Sequence, residues 1–466
     1  LTDVTGVQTC ALPISKEHMK NKKMTRSKFL GTSLGLSVLS SVKLEGSPLL
    51  RLMVQKNESF YMTSQMKRDY EVALSILKPT KAQLEHGLEL HKNSLVWEPY
   101  GFMPRAAVDG AAIAAAINDN ASALEIQDMY EDMIMSRFVD NERERKEFEN
   151  AWKASGVTCV GQNAGEESNS IDVLIKRLSR FTYSTDMMRD FVSKAVTPDD
   201  VVLAKKENRH VLYLTGNGVP IPHDWVSVNE ELRYIRVFFQ LGIRMMHLTY
   251  NRRNMIGDGC GEPANGGLSD FGHAVVKEMN RVGVIVDISH SGWQTSLDAA
   301  RVSSKPVIAS HSVAASINKV IRSKSDEIIR ALADTGGFIG ICVIPRFLGG
   351  TGDIAAFMKH IDYVAKKFGP DYVAIATDVS HQSQYGSEEN KKTREMATRP
   401  APTARASWEA LWPPEPFELR PEMSQSTSWT NFPLFTVGMV QMGYTDTEIQ
   451  KILGANVMRV AKAVLA

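Results

Sequence analysis

The sequence predicts an α/β fold, a (β/α)8 TIM-type barrel, on three observations. Eight short apolar runs recur from about residue 105, nearly continuous rather than alternating, as expected of parallel strands covered on both faces. Helix-period segments separate them. Polar residues gather where the runs stop (Asp109, Asn163, Asn217, Tyr250, His290, His311 and Asp378), whereas the runs begin with apolar residues or glycine. In such a barrel the C-terminal strand ends carry the active site. A doubly wound open sheet is the competitor, but it would usually show a Gly-rich phosphate turn after an early strand, and the sequence has none.

The chain divides into three parts. Residues 1–45 combine "VTGVQTCALPIS" (Val4 to Ser15), which looks like translated sequencing-adapter sequence, with a leader that begins natively at Met19 or Met24. In that leader a basic region precedes the weakly apolar run Phe29 to Val42, too short to span a bilayer as a helix. "TRSKFL" resembles a twin-arginine export motif with Ser27 in place of one arginine, so export to the periplasm is expected, with a disordered basic leader and a cytoplasmic chain as the competing reading. Residues 46–104 read as an N-terminal helical extension, and 105–466 as the barrel.

Within the barrel the expected strands are Arg105–Val108, Gly156–Asn163, His210–Asn217, Met245–Asn251, Gly283–His290, Pro306–Ser312, Gly337–Ile344 and Tyr372–Asp378. "GHAVVKEMNRVG" has helical period and ends at Gly283, a C-cap just before its strand. "SDEIIRALADTGG" opens on Ser325 as N-cap and stops at a glycine pair. The stretch from about 379 to 431 is too long for an ordinary connection and reads as a lid or a disordered insert. The C-terminal "TDTEIQKILGANVMRVAKAVL" reads as a helix pair closing the bottom or side of the barrel.

Composition narrows the class little. The 466 residues are 43% apolar with a net charge of +1, so no basic face recommends nucleic acid. Cys10, Cys159, Cys260 and Cys342 lack CxxC spacing and suggest neither a disulfide framework nor a structural zinc site. No transmembrane span is expected.

His290 and His311 stand 21 residues apart on strands read as neighbours. Parallel neighbours lie about 4.8 Å apart, so imidazoles at equivalent ends can reach one metal ion. A lone strand-end histidine is more often a hydrogen-bonding structural residue; two in register, with Asp378 ending strand eight, favour a metal or general-base site. A carboxylate there can take a proton from water and return it to a leaving amine. The bland alternative makes Asp378 a cap of the following turn. His381, His360 and Asp362 read as incidental or packing residues, and the loop Asn251–Gly267 as solvated or closing over a substrate.

"GGLSDFGHAVVKEMNRVGVIVDISHSG", "KPVIASHS", "YVAIATD" and "ILGANVMRV" resemble the renal-type (membrane) dipeptidases, zinc peptidases on an amidohydrolase-like barrel. The likeness covers about 228 to 462 well and continues loosely back to about 105. It implies zinc on His290 and His311, Arg322 holding a substrate carboxylate, and Asp378 transferring protons. A planar guanidinium suits that grip. The departures are equally plain. Where the family's first strand supplies a His and an Asp, this chain reads Asp109-Gly110-Ala111-Ala112-Ile113. The family's bridging Glu aligns softly with Lys176, a ligand if carbamylated and otherwise a solvated helix residue. A substrate-contacting His is replaced by Tyr250, which can still donate to a developing oxyanion.

The expectation is therefore one zinc rather than two, held by His290 and His311 with Lys176 or water, in a dipeptide hydrolase using Asp378, Arg322 and Tyr250. The partner is a small peptide or amide substrate, and a homodimer is left open. A degenerate barrel that only binds a ligand, and a one-metal hydrolase of lactones or acylated amino acids, are the alternatives.

Overall fold

Ten parallel strands form one sheet: β1 (Trp97–Gly101), β2 (Cys159–Asn163), β3 (Val192–Ala195), β4 (His210–Gly216), β5 (Met245–His247), β6 (Ile285–Asp287), β7 (Val307–Ala314), β8 (Ser323–Lys324), β9 (Phe338–Ile341) and β10 (Val373–Ile375). The computed structural model describes residues 62–165, 171–222, 224, 226–402 and 417–465, all within the compact unit Val54–Ala466. The leader lies outside the described residues.

The main path runs β1-β2-β4-β5-β6-β7-β9-β10, eight strands in sequence order, with β3 paired outside β4 and β8 continuing beside the end of β7. Helices connect most of the strands, so the sheet curls into a nearly closed (β/α)8 barrel. The seam between β10 and β1 is tied by Glu98, buried in β1, which accepts hydrogen bonds from the Thr377 amide at 2.7 Å and from its hydroxyl. The Asp378 amide donates to Tyr100 O across the same seam at 3.4 Å.

The first strand lies earlier in the chain than expected. Arg105–Val108 is no strand; Arg105 makes only an isolated bridge to Gln382. The strand is Trp97-Glu98-Pro99-Tyr100-Gly101, inside the segment read as a helical extension. Its apolar run is interrupted by Glu98, satisfied at the seam and by Trp429 Nε1 at 2.9 Å, and by Pro99, which cannot donate to a ladder. β3 was also unforeseen, because Ser193 and Lys194 are only partly buried and break its apolar pattern. The helices Ser64–Leu77 and Lys81–Asn93 precede β1.

Trp97, Cys159, Val211, Met245, Ile285, Ile308, Phe338 and Ala374 fill the N-terminal end of the barrel, and Val457, Val460, Ala461 and Val464 of the helix Asn456–Leu465 close it from below. Burial of each such aliphatic or aromatic side chain contributes about 1.5–3 kcal/mol. Of the stretch 379–431, the helix Gly386–Met396 is docked on the helix Gly110–Asn118, with the Gly110 amide donating to Glu389 Oε2 at 3.0 Å. Residues 403–416 of it lie outside the described residues.

Two strands carry one extra residue. In β1, Pro99 and Tyr100 together oppose Gly161 of β2; in β7, Ser310 and His311 oppose Gly340 of β9. A Cβ on Gly161 would lie 1.9 Å from Pro99 O, and one on Gly340 1.9 Å from Ser310 O, so each bulge needs glycine opposite it.

Candidate metal centre

The two bulges deliver rings to one place. Tyr100 stacks on His311 with centroids 3.8 Å apart and planes 11° apart, and Tyr250 stacks on His290 at 4.1 Å. His290 and His311, both buried, point their Nε2 atoms at each other across 3.0 Å. Two nitrogens bound at 2.0–2.1 Å to a tetrahedral zinc would stand roughly 3.3 Å apart. On the other side of His290, Nδ1 lies 2.8 Å from Asn251 Oδ1; a proton on Nδ1 would leave Nε2 bare. His311 Nδ1 is 2.8 Å from Ser310 Oγ. Burial, reinforced by Arg322, pushes both imidazole pKa values well below the usual range, so both rings are neutral, the state in which histidine binds metal.

Beside them is a pair the sequence reading overlooked. β5 and β6 align His247 directly with Asp287, both fully buried. Asp287 Oδ1 accepts from the Ser289 amide at 2.9 Å, the Ser289 hydroxyl at 2.8 Å and the Ser310 amide at 3.0 Å. Its Oδ2 lies 2.6 Å from His247 Nε2 without the alignment of a hydrogen bond, and neither atom has another partner. Burial alone would raise this carboxyl; the adjacent His247 and the hydrogen bonds outweigh it and hold the group well below the usual carboxylate range.

His247, Asp287 and His311 offer ligand atoms within 4.8 Å of one another, and His290 Nε2 adjoins the last. Imidazoles with one carboxylate form a donor set suited to zinc. Orphaned buried polar atoms cost about 1–3 kcal/mol each, and a cation among them removes that cost. The residues present fit the metal.

Four other groups surround the cluster. Arg322, buried, donates from Nη2 to His311 O at 3.1 Å and sets Nη1 3.2 Å from His290 Nδ1, leaving Nε without a partner. Asp378 follows β10 in a left-handed conformation, φ 61°, uncommon for a residue with a side chain. It is partly buried; burial raises its pKa to about 7 against the pull of Arg322 and Arg105. Burial also raises the Tyr250 phenol to about 12, keeping it a hydrogen-bond donor at neutral pH. Lys324, fully buried, donates to Ser291 O at 2.7 Å, and burial lowers its pKa to about 7.

Two expectations are corrected. Lys176 does not approach the cluster: it sits on the helix Ile171–Met187, its side chain 57% exposed, paired with Asp128 at 3.3 Å. Asp109 is no strand end. It caps the helix Gly110–Asn118, accepting from the Ala111 and Ala112 amides at 3.1 Å each, so the match of that stretch to a ligand-bearing first strand was out of place. The residues β1 carries next to the cluster are Glu98, Pro99 and Tyr100, and they bring no His-and-Asp pair. Elsewhere His381 binds Glu147 at 2.9 Å, and His360 accepts from the Ala314 amide at 3.2 Å, both packing roles. His247 and Asp287 had a signal: each is a lone polar residue inside an apolar run, two positions after an inward Met245 or Ile285.

Fold and site together define a (β/α)8 barrel with a buried histidine–carboxylate cluster at the C-terminal ends of its central strands. The chain belongs to the membrane dipeptidase family, peptidase family M19, whose model matches residues 149–399. Among curated proteins, it is 27% identical over 233 residues to dipeptidase verJ of Clonostachys rogersoniana, covering 49% of this chain and 50% of that protein. It is 32% identical over 163 residues to dipeptidase aclJ of Aspergillus oryzae, covering 34% and 39%. The matches thus span about half or less of those relatives' lengths. Among solved structures, an amidohydrolase from Pseudomonas aeruginosa superposes with TM-score 0.58 at 23% identity, covering 81% of this chain and 99% of that one. A metallopeptidase from Rhodobacter sphaeroides, bound to a phosphinate mimic of L-Ala-D-Ala, gives TM-score 0.51 at 17% identity, covering 80% and 100%. At these identities the two structures speak to the fold.

Proposed function

We propose that this protein is a metal-dependent hydrolase of dipeptides, with zinc held by His311 together with His247 and Asp287, and with His290 adjoining them. The observation that carries the reading is the convergence of neutral imidazole nitrogens beside an orphaned carboxylate oxygen, at the strand ends where this fold does chemistry. Membership of the dipeptidase family supports the substrate class.

When bound, zinc supplies Lewis acidity toward the scissile carbonyl and makes water a stronger acid. The chain's own groups do the rest. The Arg322 guanidinium grips the terminal carboxylate of the dipeptide. The Tyr250 hydroxyl donates to the carbonyl oxygen as charge develops there. Asp378, ionised, takes a proton from the attacking water and returns it to the departing amine. Tyr100 and Tyr250, stacked on the two histidines, hold the imidazole planes and exclude water from their faces.

Among the described residues no helix is long and apolar enough to cross a membrane. Export to the periplasm, suggested by the basic leader and its twin-arginine-like motif, belongs to the same proposal.

The test is hydrolysis of simple dipeptides such as Ala-Ala by protein purified with zinc. Chelation should abolish it and zinc should restore it. Hydrolysis indifferent to chelation, or none by zinc-loaded protein, would contradict the reading.

A further inference from the structure

Arg105 stands on the rim of this site with nothing assigned to it. Its backbone is clamped to the segment just past Asp378: its amide donates to His381 O at 2.9 Å, and the Ser383 amide donates to Arg105 O at 3.1 Å. Its guanidinium lies over the Phe102 ring, 4.7 Å from the centroid. Phe102 meets Tyr100 edge-to-face at 5.9 Å, and Tyr100 is the ring stacked on His311. A ladder of three aromatic contacts thus runs from the metal cluster to this cation.

The guanidinium is otherwise unmatched. Among the described residues it makes no hydrogen bond and no ion pair, although it is largely enclosed. Glu131 is engaged elsewhere, with both oxygens on Arg177 at 2.7 and 2.9 Å and one on Arg180 at 3.2 Å. An enclosed guanidinium held by a ring face, with its five donors unspent, is arranged to receive a carboxylate.

We infer that Arg105 is a second anion subsite, and that the preferred substrates are dipeptides carrying an acidic side chain in addition to the terminal carboxylate held by Arg322. This rests on the dipeptidase reading for the kind of molecule bound. Both arginines draw the Asp378 carboxyl toward its ionised form, so both cations lie near that one group.

The experiment compares kcat/KM of the zinc-loaded enzyme within two pairs of near-isosteres, Glu-Ala against Gln-Ala and Ala-Glu against Ala-Gln. Intact-dipeptide binding to the metal-free protein is measured in parallel by calorimetry. The acidic member of one pair should be favoured about tenfold or more, chiefly through KM. Arg105→Met should remove the preference, and Arg105→Glu should transfer it to a lysine-containing dipeptide. Neutral dipeptides cleaved with no acidic preference, or a preference that survives Arg105→Met, would overturn the inference and leave the dipeptidase reading standing. Acidic dipeptides bound through Arg105 but none cleaved would sink the activity and keep the subsite. Neither binding nor cleavage would overturn both.

Discussion

At the residue scale, the account turns on which protonation states burial enforces. His290 and His311 are kept neutral by burial and by Arg322, and Asp287 is kept ionised by its partners, so these groups could take a metal without deprotonation. Asp378 is the contrary case. Its pKa is raised to about 7, so in the metal-free chain it is protonated below that pH and ionised above it. A nearby cation favours the carboxylate and moves this transition lower. The base proposed here needs the ionised form, so kcat/KM should fall as pH drops through the Asp378 pKa, and Asp378→Asn should lose activity by about 100-fold or more at every pH. Full activity in that variant, or an acid limb unchanged by it, would remove Asp378 from the mechanism. His290, His311 and Asp378 stand in runs that resemble the dipeptidases, whereas Arg322 was singled out by that resemblance alone. Asn251 and Tyr100 were not legible, since their roles come from contacts with residues 39 and more than 200 positions away.

At the element scale, the site is shaped by two bulges and their opposing glycines. Without the extra residue in β7, the side chains beyond it would alternate to the other face, and His311 would not meet His290. Gly340→Ala places a Cβ 1.9 Å from Ser310 O, so the backbone beside His311 has to move. Urea denaturation should show a loss of about 1–3 kcal/mol, and zinc should be held more weakly. Wild-type stability with wild-type zinc affinity would mean that the bulge is not what positions the ring. The apolar runs announced seven of the eight barrel strands because buried parallel strands need continuous apolar residues. β1 escaped notice for a physical reason. Glu98 and Pro99 are tolerated in it because it borders the seam, where Thr377 and Trp429 satisfy the carboxylate.

At the scale of the whole molecule, the barrel separates its tasks by end. The N-terminal end is a packed apolar plug closed by the C-terminal helix, the bottom rather than the side of the two places left open for it. The C-terminal end carries the polar cluster, which a plug of that kind leaves free to be strained and unsatisfied. The sequence showed the fold class and the end that bears the site. It could not show that His247 and Asp287 stand where a first-strand pair does not, because that depends on strand register. The most direct test of the central claim is the metal content per chain, measured by mass spectrometry on protein purified without chelators, for the wild type, His311→Ala and His247→Ala. The expected result is about one zinc per wild-type chain and a large loss in both variants. A wild-type chain that binds no metal, even after zinc addition and desalting, would contradict the account.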